Sequence, residues 1–185
     1  MPAAGPRWRC LTPGSPHHVL ELVLGAVSAA LFGPTSGPVD TKFQEFKRRW
    51  PQLNHKSDVM LLFPDDSWLQ ELRDDTTEKL QAMLDRPTKD QFLREDYKEL
   101  AQLVLVVLGA GPSLPRFRRP GACHHARWMA KVLYYLKMYM FAEQLGYSSD
   151  ERVRRMVTFV TLICARTWLM APLASDAPMT NLQLY

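Results

Sequence analysis

Cys123, His124 and His125 are the residues best suited by type to hold a metal ion, and they stand side by side. On a helix consecutive side chains point about 100° apart, so the three cannot converge on one ion. His17 and His18 form a second pair, but nothing in the sequence brings the two pairs together. A helix-start histidine and a small core cysteine are the plainer account. The chain has no Cys-x-x-Cys and no His-Glu-x-x-His, so no metal set is assigned and no cofactor is implied. Acidic pairs occur at Asp65-Asp66, Asp74-Asp75 and Glu95-Asp96. Two-metal nucleases arrange carboxylates around ions about 4 Å apart, usually at strand ends, and strands are scarce here. On helices such acids are solvated or partner the helix dipole. Nucleophilic catalysis has no anchor either, since no Gly-x-Ser-x-Gly is present. Gly109-Ala110-Gly111-Pro112 lacks the third glycine of a dinucleotide fingerprint and follows a helical pattern, not a strand.

The bases are more informative. The chain carries a formal charge of +4, unevenly spread. Residues 58–99 hold twelve acids and six bases, whereas 101–142 hold six bases (Arg116, Arg118, Arg119, Arg127, Lys131, Lys137) and no acid. On a helix opening near Ala122, His124, Arg127 and Lys131 fall at i, i+3 and i+7 and share a face. Arg116, Arg118 and Arg119 sit in the loop that feeds its N-terminus. Guanidinium forks beside unpaired backbone N–H groups favour an oxyanion, so the cluster suits phosphates. The alternative is that these bases pair with the acidic 58–99 segment or are merely solvated. Footprints of nucleic-acid binders are usually more basic than this domain.

These side chains must be positioned by helices, because proline and glycine divide the chain into helical stretches. A helix is expected from about His17 to Phe32, with Val19, Leu20, Val23, Ala26, Val27, Ala30 and Leu31 at helical spacing. A shorter one spans about Asp40 to Trp50, with Phe43, Phe46 and Trp50 on one face. Val59 to Phe63 reads as a short strand or an extended connector. Asp65-Asp66-Ser67 then opens a pattern through Trp68, Leu69, Leu72, Leu80, Met83 and Leu84, with a break expected near Thr76. Thr88-Lys89-Asp90-Gln91 has capping-box spacing and starts a helix to Leu108. The next helix runs from after Pro120-Gly121 to Leu145, with Trp128, Val132, Leu136 and Met140 in one stripe and Tyr134, Tyr135, Tyr139 and Phe141 as core. Ser148-Ser149-Asp150-Glu151, a second capping-box spacing, opens the last, to about Met170, with Met156, Val160, Ile163, Cys164, Thr167 and Trp168 on its buried face. The expectation is an all-α fold of about six helices in an irregular bundle, with at most one short strand. Residues 1–16 are expected to be disordered, 17–178 to form the helical domain, and 179–185 to begin an element the chain does not finish.

Composition agrees with a globular chain: 185 residues, 46% hydrophobic and 23% charged. That suits one domain. Three scattered cysteines favour a reducing, intracellular compartment over a disulfide scaffold. The apolar run Val19 to Phe32 is 14 residues and contains Glu21, too short for a membrane span. Met156 to Leu173 holds Arg166 near its middle, which is costly inside a bilayer. No membrane partner and no small-molecule substrate are expected.

Three stretches carry a resemblance. They are His17-His18-Val19-Leu20-Glu21-Leu22-Val23 with Phe32-Gly33-Pro34-Thr35-Ser36-Gly37-Pro38; Asp96-Tyr97-Lys98-Glu99-Leu100 running into Val107-Leu108-Gly109; and Phe117-Arg118-Arg119-Pro120-Gly121-Ala122-Cys123-His124-His125-Ala126-Arg127-Trp128-Met129-Ala130-Lys131. Together they resemble a group of uncharacterised animal proteins derived from transposable elements. Those look like distant relatives of the hobo/Activator (hAT-like) transposases, whose ribonuclease-H-like core carries a large helical insertion. The resemblance covers most of residues 17–178. In that superfamily a Cys-x-x-His motif opens the helix before the insertion. His18 matches the motif histidine, but Ser15 stands where its cysteine would be. The resemblance implies a helical middle portion, a nuclear location, and catalytic carboxylates lying upstream of residue 1 and beyond Tyr185. The expected function is therefore a non-catalytic helical fragment of a transposase-like protein. It would contact DNA phosphates through Arg116, Arg118, Arg119, His124, Arg127 and Lys131. The alternative is a helical interaction module that self-associates, or packs on a missing core, through exposed apolar surface.

Overall fold

A computed structural model describes residues 16–33, 41–63, 66–85, 95–111, 117–121, 128–146 and 150–170. The expectations for residues 1–15, for the capping box at Thr88 and for 179–185 lie outside these. Helix α1 spans Pro16–Phe32 and α2 spans Thr41–Arg49, which tightens into a 3₁₀ turn at Trp50–Gln52 because Pro51 cannot continue an α-helix. Next come α3 (Ser67–Asp85), α4 (Glu95–Val107), α5 (Trp128–Met140) and the short α6 (Ala142–Leu145). The last rod is continuous: α7 (Glu151–Phe159), a π turn (Val160–Ala165) and α8 (Arg166–Met170). The fold is all-α, with no strand among the described residues. None of the described helices is long and apolar enough to cross a membrane.

Several boundaries have specific causes. Residues 59–63 are the extended connector, not a strand, because their amides pair with helix ends. Met60 N donates to the Met140 carbonyl (3.0 Å) and Leu62 N to the Val107 carbonyl (2.8 Å). Those are orphan acceptors at the C-termini of α5 and α4. Leu62 is buried while Leu61 and Phe63 face out, the alternation an extended chain imposes. The same donation accounts for the interruption of the single helix expected to reach Leu145: the chain turns at Phe141, between α5 and α6. α6 stops at Gly146, whose φ of +78° suits glycine. Two arginines take further carbonyls at helix ends. Arg49 donates to the Leu145 (3.0 Å) and Gln144 (2.7 Å) carbonyls, and Arg73 to that of Leu108 (2.7 Å).

Helix α3 is unbroken at Thr76, contrary to expectation. Thr76 is fully buried in the same stripe as Leu69, Leu72, Leu80 and Met83, so packing overrides its weak helix propensity. The face of α1 holds in part. Leu20, Val27 and Leu31 pack against the core as their spacing predicts, around the fully buried Leu24 and the buried Ser28, whereas Val19 and Val23 of the expected face are exposed, as is Leu22. Both sides of α1 are apolar, so periodicity had little to choose between. The Ser28 hydroxyl, hydrogen-bonded to the Tyr135 hydroxyl at 3.0 Å, matches the inward face. In the last rod, Ile163 (41% exposed) and Thr167 turn outward, while Leu162, Cys164 and Ala165 are buried. The π turn adds a residue to the repeat and rotates the faces of the helix beyond it.

The buried side chains of these helices join one core, with α4 against α5 at its centre. At one end the face of α2 meets α5: Phe43 packs on Tyr134 and Tyr135, and Trp50 on Phe141, with ring centroids 5.1–5.7 Å apart. Tyr134, Tyr135, Tyr139 and Phe141 are core, as their spacing predicts.

Candidate nucleic-acid interface

The segment 117–121 is a loop with no regular structure, yet its backbone is held at several points. Phe117 inserts its ring beside Phe141 (4.9 Å between centroids) and within reach of Trp50 and His55. Lys137 Nζ donates to the Arg118 carbonyl at 2.9 Å. Pro120 is buried, and the Tyr134 hydroxyl donates to the Gly121 carbonyl. Between these anchors the Arg118 and Arg119 side chains are exposed. Lys131, in the first turns of α5, is half-buried. Arg116, His124 and Arg127 lie outside the described residues. His18 falls in the first turn of α1, with its side chain likewise outside them.

Lys137 is not part of any basic surface. Its side chain is 4% exposed and its ammonium contacts Glu99 Oε1 at 2.5 Å. Burial pushes the ammonium below the usual lysine range, and the hydrogen bond to Glu99 works against that shift. For this base the pairing alternative holds, since Glu99 belongs to the acidic 58–99 segment. Arg166 behaves similarly, meeting Asp75 at 2.9 Å. Glu99, Arg119, Tyr134 and Lys137 line a cleft of about 70 Å³ beside the loop. Small-molecule pockets usually run to about 300–1,000 Å³. This cleft is therefore smaller than enclosure of a metabolite requires.

The other candidate chemistry disperses. Asp75 is hydrogen-bonded by Lys79, which with Arg166 holds its carboxyl below the usual range, and Asp74 pairs with Arg73. Among the described residues no three His, Cys, Asp or Glu are grouped to hold a metal ion. The Cys164 thiol is buried and pushed up to about 12, so it is not a thiolate at neutral pH. The sequence named the acidic segment as a partner for these bases but not the particular Glu99–Lys137 pair. One signal was present: Lys137 is the lone charge between Leu133 and Phe141 in an apolar helix. Its partner lies 38 residues away, which no local pattern reveals.

No protein-family model, curated protein or solved structure matches the chain.

Proposed function

We propose that this chain is the helical portion of a transposase-like protein and contacts nucleic-acid phosphates through Arg118 and Arg119, with no catalytic carboxylates of its own. One observation carries the reading: Arg118 and Arg119 are adjacent and exposed on a backbone held at the Arg118 and Gly121 carbonyls. A fixed backbone lowers the entropy lost when the arginines engage phosphate. The test is duplex-DNA binding across a salt series. Each phosphate neutralised adds about 0.9 to the slope of log affinity against log salt. The Arg118→Glu/Arg119→Glu chain should lose about two units of slope. Undetectable or salt-insensitive binding, or no loss on charge reversal, rejects the reading.

A second reading is favoured by the exposed stripe Val19, Leu22 and Val23 on α1. It makes the chain a helical interaction module that associates through that face.

A further inference from the structure

Resting on the phosphate-contacting reading, we infer that the buried Lys137–Glu99 pair acts as a clamp that positions the arginine segment, Lys137 being a positioning residue and not a phosphate ligand. The ammonium already donates to Glu99 Oε1 and to the Arg118 carbonyl, and lies 5.7 Å from the centre of the Trp50 ring. Little of it is left for an incoming anion. Packing alone does not require a charge here, because the Lys137 side chain is 4% exposed and reaches the Trp50 ring, surroundings that an apolar side chain would also suit. Apolar side chains of similar volume commonly replace buried ion pairs without loss. What an apolar residue cannot do is donate to the Arg118 carbonyl.

The spacing of the tethers supports the same role. Tyr134 and Lys137 stand three apart on α5, one turn along one face. The carbonyls they hold, Gly121 and Arg118, are also three apart and in reversed order. The segment is thus laid antiparallel along α5, with Arg118 and Arg119 within the tethered span. Glu99 comes from α4, so the position of the guanidinium groups depends on the α4–α5 packing at the centre of the core.

The test uses the whole chain with Glu99→Leu and Lys137→Met together. This double substitution leaves net charge unchanged and strands no buried ion. A second variant, Tyr134→Phe, removes the other tether. Both are expected to keep their helical circular dichroism. Amide exchange across 117–121 should speed up, and the salt slope of duplex-DNA binding should become shallower by about one to two units. A loss of folded fraction lowers apparent affinity but leaves that slope where it was, so the slope separates positioning from plain destabilisation. Wild-type exchange and slope in both variants overturn the clamp. If the Arg118→Glu/Arg119→Glu chain loses its slope while these variants do not, the phosphate reading survives and only the clamp is rejected. Failure of the wild-type chain to bind DNA rejects the phosphate reading and the clamp with it.

Discussion

Lys137 shows how much one side chain can commit. Removing only one member of a buried pair leaves the other charge uncompensated, at a cost of about 3–5 kcal/mol. Lys137→Met alone should therefore be destabilised in urea melts, by less than that full figure because the Glu99 side chain it strands keeps 13% exposure, while the Glu99→Leu/Lys137→Met chain should lie near the wild type. An equal loss in both would show that the lysine contributes through packing. Cys164 gives a second prediction at this scale. Its native thiol titrates near 12 against an ordinary 9.0, because burial disfavours the thiolate. The unfolded chain releases this proton first. Its contribution to stability is thus fully present below pH 9.0 and is lost as pH rises through the native value. Iodoacetamide at pH 8 should leave Cys164 unmodified in the native chain and modify it in urea.

Elements were legible to within a residue or two where a local rule decides them. The capping-box spacing of Ser148 and Glu151 puts a helix start here, but the N-cap of α7 is Asp150 and Glu151 is the first helical residue: the Asp150 carboxylate accepts from Arg152 N at 3.1 Å and from the Arg152 guanidinium at 3.0 Å. Asp150→Ala should cost about 1 kcal/mol in urea melts. The Arg152 hydrogen bond holds the Asp150 carboxyl below its ordinary 3.8, so this contribution is present above that pH and lost as pH falls through the native value. The gap between wild type and variant should close in acid; a pH-independent gap would place the cost elsewhere. The face of α1 was legible only in part: Leu20, Val27 and Leu31 pack inward as expected, but a helix apolar on both sides offers no polar face to show that Val19 and Val23 turn outward. Leu24→Ala should cost about 2–5 kcal/mol, and Leu22→Ala less than about 0.5, since Leu24 is fully buried and Leu22 is 62% exposed. The π turn was equally hidden. Its signature is a shift in which residues face inward, and that emerges only from packing.

At the scale of the molecule, what sequence withheld is long-range. The aromatic spacing of α2 and α5 announced a core, but not that Phe117 would join it and pin the arginine segment. Charge segregation offered the acidic 58–99 segment as a partner for the bases of 101–142, but could not say that Glu99 is the acid that meets Lys137, or that Asp75 would meet Arg166, outside that set. The same segregation gives no account of α1, whose exposed stripe Val19, Leu22 and Val23 is uncharged. Three such side chains are far fewer than the roughly 20–30 residues a side that stable complexes bury, about 1,200 Å² or more in total. Self-association through this stripe is therefore expected to be weak and reversible, not a permanent dimer. Sedimentation should show the weight-average mass rising with concentration, and Leu22→Glu should return the chain to a monomer. A monomer at all concentrations would remove the interaction reading. Unchanged association in Leu22→Glu would move it off α1, toward the groove that the exposed Trp68 and Ile163 share.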